Sequence, residues 1–335
     1  MNASIHAKAI ANPSRTVCVG RFLIDLTDDA RPAISASYHW LNPHTPVRID
    51  SFASLERELS GRADQYRAIR MIRTADRDDF WRTGGDDPDK IFAVTQLVGF
   101  NADSALQQAV LSYHPDPKKP AIMTEVHKAI GTTDYAFDTK DYGANGYPKA
   151  RQLLWTAATQ FQSLAPGEIP NGPGFCVEGG MFADAGKPPV REDTTLVVEF
   201  GDHPDLRFVI DASTIKKVDN DEPSLKHRVD GELAVLRAGI EGHVGVLDRG
   251  ALTAAGQDGY QIGVSAPYDL VPNTRMRKFF WSADGVPNDV TRPFMEIDMT
   301  VQPTDDGRTT IKDDEQAKAL WKQLMQGIRI RPGAV

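Results

Sequence analysis

At 335 residues the chain is long enough for about two domains, and its 41% hydrophobic and 25% charged residues are those of a globular protein with ample core material. A formal net charge of −8 argues against sequence-independent nucleic-acid binding and against anionic membranes, since both draw on clustered Lys and Arg. No apolar run approaches the roughly 20 residues that cross a bilayer. The opening MNASIHAKAIANPSR has no apolar stretch of the secretory kind, so a cytoplasmic protein and an exported one whose targeting segment was cut away both stay open.

Residues 1–14 are expected to form a flexible N-terminal segment. Next, CVGRFLIDL (18–26) alternates Val19, Arg21, Leu23 and Asp25 against Phe22, Ile24 and Leu26, and predicts a strand. SFASLERELSGRADQYRAIR (51–70) predicts an amphipathic helix, with Phe52, Leu55 and Leu59 at helical spacing and Ser51 or Ser54 as its cap. IFAVTQLVGF (91–100), ALQQAVLSYH (105–114) and AIMTEVHKAI (121–130) are short strand-like runs separated by Gly, Asp and Pro clusters, as in a meander. YPKARQLLWTAATQFQSLA (147–165) closes this half as a helix with Leu153, Leu154, Ala157, Ala158 and Phe161 on one face.

After the Pro- and Gly-rich break PGEIPNGPG (166–174), strands are predicted at FCVEGGMF (175–182), TTLVVEF (194–200) and LRFVIDAS (206–213). A helix over 223–239 carries Leu225, Val229, Leu233 and Leu236 on one stripe and ends at Gly239. Four more strands follow at 242–250, 260–266, 277–283 and 294–301. DDEQAKALWKQLMQGI (313–328) is the last helix, acidic in its first turn, with Leu320, Leu324 and Ile328 on its buried face. The expected fold is α+β in two domains, 15–168 and 169–335, each an antiparallel sheet with packed helices. The order of elements repeats loosely between the halves, and no βαβ alternation appears.

Signatures of catalysis are absent from the sequence. GVSAP (263–267) puts Pro where a nucleophile elbow needs its second Gly. The eight histidines are scattered, with His39 and His44 five apart and His114 and His127 on different predicted strands, and no His-Glu-x-x-His occurs. GGMFADAGK (179–187) fails as a phosphate loop because Met181 stands where Gly is required and Lys187 is followed by Pro188. The acidic stretches 219–223 and 306–315 lack the alternating ligand pattern of a calcium loop. No cofactor and no metal site are expected. The two cysteines, Cys18 and Cys176, both lie in predicted strands among apolar residues with no adjacent His, which suits buried thiols or a bridge better than a nucleophile.

CVGRFLIDL resembles the start of the immunity proteins that protect bacteria from type VI secretion lipase effectors, whose first strand often runs Cys-Phe/Val-Gly-Arg-Tyr/Phe-Leu-Ile-Asp-Leu-Pro; here Thr27 replaces the Pro. IPNGPGFCVEGGMF (169–182), FGDHPDLRFVIDAST (200–214) and ALWKQLMQGIRIRPGA (319–334) are similar to further segments of that family, whereas 38–50 through 83–90 is unlike it. The resemblance implies a periplasmic antidote, a monomer when free, that binds a cognate type VI lipase or phospholipase effector and occludes its active site without being an enzyme. Export would require a signal that this chain does not show, and the oxidising compartment favours a bridge between Cys18 and Cys176.

Such an antidote needs aromatic or Arg anchors on preorganised surface. RDDFWRTGGDDPDK (77–90) places Phe80 and Trp81 beside the acidic turn of Asp86 and Asp87, and DTKDYGANGYPK (138–149) places Tyr142 and Tyr147 in a Gly-rich loop. These six are the candidate interface residues; the competing expectation is that Trp81 packs under its own hairpin and the tyrosines cap a helix entry. The alternative function is an enzyme with a carboxylate or histidine site acting on lipid or glycan. A lipase-specific folding chaperone fits less well, since those are mostly helical.

Overall fold

The computed structural model describes residues 13–74, 91–115, 122–141, 146–184, 191–217, 225–239, 244–268 and 274–335. It is a mixed α+β structure of antiparallel sheets, with four helices among the described residues: α1 (Phe52–Ala68), α2 (Tyr147–Gln160), α3 (Leu225–Gly239) and α4 (Asp314–Gln326). The chain divides into two compact units. The first holds Met1–His39, Leu164–Val177 and Gly186–Val335, and the second holds Trp40–Ser163 and Glu178–Ala185.

The first unit is built on a seven-stranded sheet in the order Gly245–Ala254, Gln257–Pro267, Arg275–Ala283, Phe294–Val301, Leu206–Ser213, Glu192–Phe200 and Ala30–Tyr38. Strand periodicity assigns its core residues to two faces. Phe279, Trp281 and Met299 lie in one core with Leu320, Trp321 and Leu324 of α4, while Ile262, Val264 and Ala266 meet Val229 and Leu233 of α3. Two glycines make room for large rings. The Trp281 indole lies across Gly259 to donate from Nε1 to the Leu252 carbonyl at 2.8 Å, and a Cβ on Gly259 would come within 2.4 Å of that ring. Gly263 lies under Phe279 in the same way, at 2.5 Å.

Several expected elements take a different form. CVGRFLIDL is a hairpin, not one strand: Arg15–Val19 and Phe22–Leu26 pair around Gly20, whose φ of +57° suits glycine. Ile328–Ile330 adds a third strand to it, because α4 ends at its C-cap Gly327 and leaves Ile328 extended. FCVEGGMF is likewise two strands, Gly174–Val177 and Gly180–Ala183. Ala30–Tyr38, with its small side chains and Pro32, gives no strand signal of its own; nine cross-strand pairs with Glu192–Phe200 hold it in place as the sheet edge.

That edge strand and the hairpin also explain why the division differs from the expected one at residues 168 and 169. Their hydrogen-bonding partners lie in the C-terminal half, so Met1–His39 joins that half and most of the intervening chain forms the other unit.

In the second unit, Leu97–Asp103, Gln108–Tyr113, Ile122–Ile130 and Thr133–Asp141 form a meander, of which the first three strands follow the expected runs except that Ile91–Thr95 splits from the first to pair with Arg70–Thr74. Its last strand, Thr133–Asp141, was not expected, and the short strands Asn42–Pro43 and Val47–Arg48 pair along the outer edge of it. α1 is capped by Ser51, whose hydroxyl accepts from the Ser54 amide while the Ser54 hydroxyl accepts from the Ser51 amide. Its Phe52, Leu55 and Leu59 pack on Ala109 and Ala129. α2 packs on Ile122–Ile130 and Thr133–Asp141. It ends at Gln160, and Phe161 begins a short strand, Phe161–Ser163, with its ring tilted against Phe137 and edge-on to Phe182.

Candidate functional site

Most of the segments that carry the family resemblance, 18–26, 169–177, 200–214 and 319–334, lie in the first unit, and what they assemble there is architectural. Cys18 and Cys176 are joined by a disulfide with an S–S distance of 2.02 Å. Two residues on, Gly20 exchanges both backbone hydrogen bonds with Cys176, at 2.9 and 2.8 Å, and a Cβ there would press on Thr194 and Phe175 at 3.2 and 3.3 Å. Arg21 follows and is only 1% exposed. Its guanidinium grips the buried Glu192 carboxylate with Nε on Oε2 at 3.0 Å and Nη2 on Oε1, and Nη1 donates to the Ala334 carbonyl at 2.5 Å.

Arg331, equally buried, donates to the carbonyls of Pro170, Gly172 and Gly174 at 3.1, 2.7 and 2.7 Å. Asp205 of the segment 200–214 pins another loop, its carboxylate accepting from the Thr310 amide at 2.7 Å and the Ile311 amide at 3.3 Å. Sequence reasoning missed Arg21, Glu192, Arg331 and Asp205. The available signal was a charged residue inside an apolar or Gly/Pro-rich motif, a placement that burial makes costly unless it is paired.

Among the described residues, the second unit holds a buried cluster of titratable groups. Glu125, His127 and Asp134 lie on the sheet face that α1 covers. His127 Nδ1 is 2.7 Å from Asp134 Oδ2, and Nε2 is 3.6 Å from Glu125 Oε2, an ion-pair contact beyond hydrogen-bond reach. Glu125 also accepts from the Tyr113 hydroxyl and from Arg62 of α1, the latter at 3.0 Å. Burial pushes the His127 pKa down, but the hydrogen bond to Asp134 and the Glu125 charge outweigh it and raise it to about 9. Burial pushes Glu125 up, and the His127, Tyr113 and Arg62 contacts more than reverse this, to about 2. Nearby, the hydrogen bond to Asp138 at 2.7 Å raises His44.

At about 9 and about 2, His127 and Glu125 both stay charged at neutral pH, whereas a general base is useful only when its pKa lies near the working pH. The sign of the resulting pH dependence follows from linkage. A histidine raised from 6.5 to about 9 stabilises the fold fully below pH 6.5, and that contribution drains away as pH rises through 9. Urea unfolding is expected to show a loss on the order of 1–3 kcal/mol across this interval. In a His127→Gln variant the slope should flatten, and an unchanged slope would refute the assignment. On the acid side Glu125 acts oppositely, its contribution being present above pH 4.5 and lost as pH falls toward 2.

Of the candidate interface residues, Phe80, Trp81, Asp86, Asp87 and Tyr142 lie outside the described residues. Tyr147 is described: it is the first residue of α2 and half-buried, with its hydroxyl 2.9 Å from where a Cβ on Gly99 would sit. Two clefts open in the first unit. One, of about 540 Å³, runs between α4 and Gly245–Ala254 over Leu252, Trp321 and Met325, and the other, of about 770 Å³, is bordered by Arg31, Arg207 and Asp305. Neither is lined by His127 or Glu125. Among the described residues no group of three or more His, Cys, Asp or Glu is arranged to hold a metal ion, and no helix is long and apolar enough to cross a membrane.

The family model for the C-terminal domain of Tle cognate immunity protein 4 matches residues 168–333. That span contains Cys176, Glu192, Asp205 and Arg331. Over this span the chain is similar to the C-terminal domain of that family. Its fold as a whole is similar to that of the apo immunity protein TplEi of the T6SS from Pseudomonas aeruginosa, with a TM-score of 0.75 and 21% identity over 95% of this chain and 97% of that one. The same values hold for the crystal structure of the Tle4–Tli4 complex. A third structure, TplEi from Pseudomonas aeruginosa complexed with "L" peptide, gives a TM-score of 0.70 and 22% identity over 95% and 98% of the two chains. No curated protein matches the chain.

Proposed function

We infer that this protein is an immunity protein that binds a type VI secretion lipase effector and occludes its active site. The observation that carries this is the family match over 168–333 within a fold that follows immunity proteins of the T6SS along 95% of the chain, one of them crystallised as Tle4–Tli4. The protein acts in the periplasm, as a monomer when free, with its two compact units serving as two α+β domains, and it turns over no substrate. A disulfide and two fully buried arginine staples suit a surface that must be preformed, because ordering loops on binding would subtract from affinity.

Mixing the purified protein with a lipase encoded beside it is expected to yield a stable complex on size exclusion and to abolish phospholipid hydrolysis at stoichiometric amounts. A mixture that elutes as two species and hydrolyses lipid at the full rate would overturn the assignment. So would hydrolysis of lipid by the protein alone.

A further inference from the structure

The loop over residues 170–174 is fastened at three of its carbonyls. Arg331 donates to Pro170, Gly172 and Gly174, and the Gly174 amide donates to the Ala334 carbonyl at 3.2 Å. The peptide unit between Asn171 and Gly172 is left open. Among the described residues nothing accepts from the Gly172 amide, and the Asn171 carboxamide has no hydrogen-bond partner. Both residues are exposed, and apart from its chain neighbours no heavy atom lies within 4 Å of where a Cβ on Gly172 would sit.

Asparagine followed by glycine is the pair best placed to react with itself. Glycine has no Cβ to keep its amide nitrogen away from the asparagine side-chain carbonyl carbon, and it turns freely about φ, which is +86° at Gly172. The Gly172 nitrogen loses its proton and attacks that carbon, the bond from the carbon to the side-chain nitrogen breaks, and ammonia leaves with the proton. Water then opens the five-membered succinimide that remains. Addition at the side-chain carbon yields aspartate, and addition at the main-chain carbon yields isoaspartate, in which the chain runs on through the former side chain. No oxidant or cofactor takes part.

We propose that Asn171–Gly172 is a site of spontaneous deamidation and that its isoaspartyl product releases the Arg331 staple. Isoaspartate places one more carbon in the main chain between the Pro170 and Gly172 carbonyls and adds about 1.5 Å to the path. Hydrogen-bond distances span only about 0.5 Å. One buried guanidinium therefore cannot keep both carbonyls at 3.1 and 2.7 Å. The aspartyl product leaves the main chain as it was and keeps the staple. This chemistry is independent of the immunity function inferred above.

The test is peptide mapping by mass spectrometry after the folded protein has stood in mildly alkaline buffer, beside the same protein kept unfolded in urea. Position 171 should gain the mass of an amide turned to an acid, mostly as isoaspartate, at a rate within about tenfold of the unfolded chain, while Asn171→Gln, whose ring would need six members, stays intact over that time. Slower conversion in the folded protein would overturn the site, since the fold would then be shielding it. Mapping separates this pair from Asn145–Gly146, the second such pair in the sequence. The isoaspartyl fraction, isolated by ion exchange, should unfold at a lower urea midpoint than fresh protein, whereas Asn171→Asp should match fresh protein. An unchanged midpoint in the isoaspartyl fraction would overturn release of the staple. So would an equal loss in Asn171→Asp, which would trace the effect to charge alone.

Discussion

Arg21→Ala is expected to destabilise the protein by about 3–5 kcal/mol, the cost of leaving a buried carboxylate without its counter-charge. Arg21 and Glu192 are 1% and 4% exposed and meet through two parallel hydrogen bonds, so neither charge has water to fall back on. Arg21 also holds the Ala334 carbonyl, which makes the arginine the worse of the two to lose. The sharper test is the double variant Arg21→Met/Glu192→Leu. Replacing the pair with apolar residues of similar volume removes both desolvation penalties, so it should be milder than either single change. Urea unfolding of the four proteins measures this cycle. Additive losses would show that the two side chains act independently.

Cys18→Ala/Cys176→Ala is expected to cost about 4–5 kcal/mol in the chain-entropy account of disulfides, because the bond closes a loop across 158 positions. The paired hydrogen bonds between Gly20 and Cys176 remain in the variant, so the native arrangement survives and the loss comes from the freed unfolded chain. A large fall in the urea midpoint with native-like near-ultraviolet circular dichroism is the predicted outcome. An unchanged midpoint would mean that the bond contributes nothing to stability. Both experiments act on the first unit, whereas the pH experiment on His127 acts on the second.

The elements legible in the sequence were those with a strong local signal. α1 begins where Ser51 and Ser54 can cap each other, and α4 turns its Leu320 and Leu324 inward beneath an Asp313 cap. The meander appeared as runs of apolar residues between turn formers. Elements without such a signal were missed or misshapen. Ala30–Tyr38 has no apolar alternation strong enough to mark a strand, and Phe161 and Ile328 continue a helical stripe although each begins a strand. In these places a cross-strand partner far along the chain outweighs local preference.

The candidate site divides in the same way. That the two cysteines were architectural could be argued from their apolar neighbours, but that they sit in one unit could not, because the pairing of Ala30–Tyr38 with Glu192–Phe200 decides it. No spacing rule connects Arg21 to Glu192, 171 positions away, or Arg331 to the carbonyls of Pro170, Gly172 and Gly174.

By itself, then, the sequence determined the helices with their caps, the antiparallel class and the family motifs, all of which depend on side-chain period and neighbouring residues. Only the tertiary structure decided which charges are buried as pairs and which strands share a sheet. Those outcomes depend on desolvation and on contacts between residues more than a hundred positions apart, and such energies exist only once the chain has closed on itself.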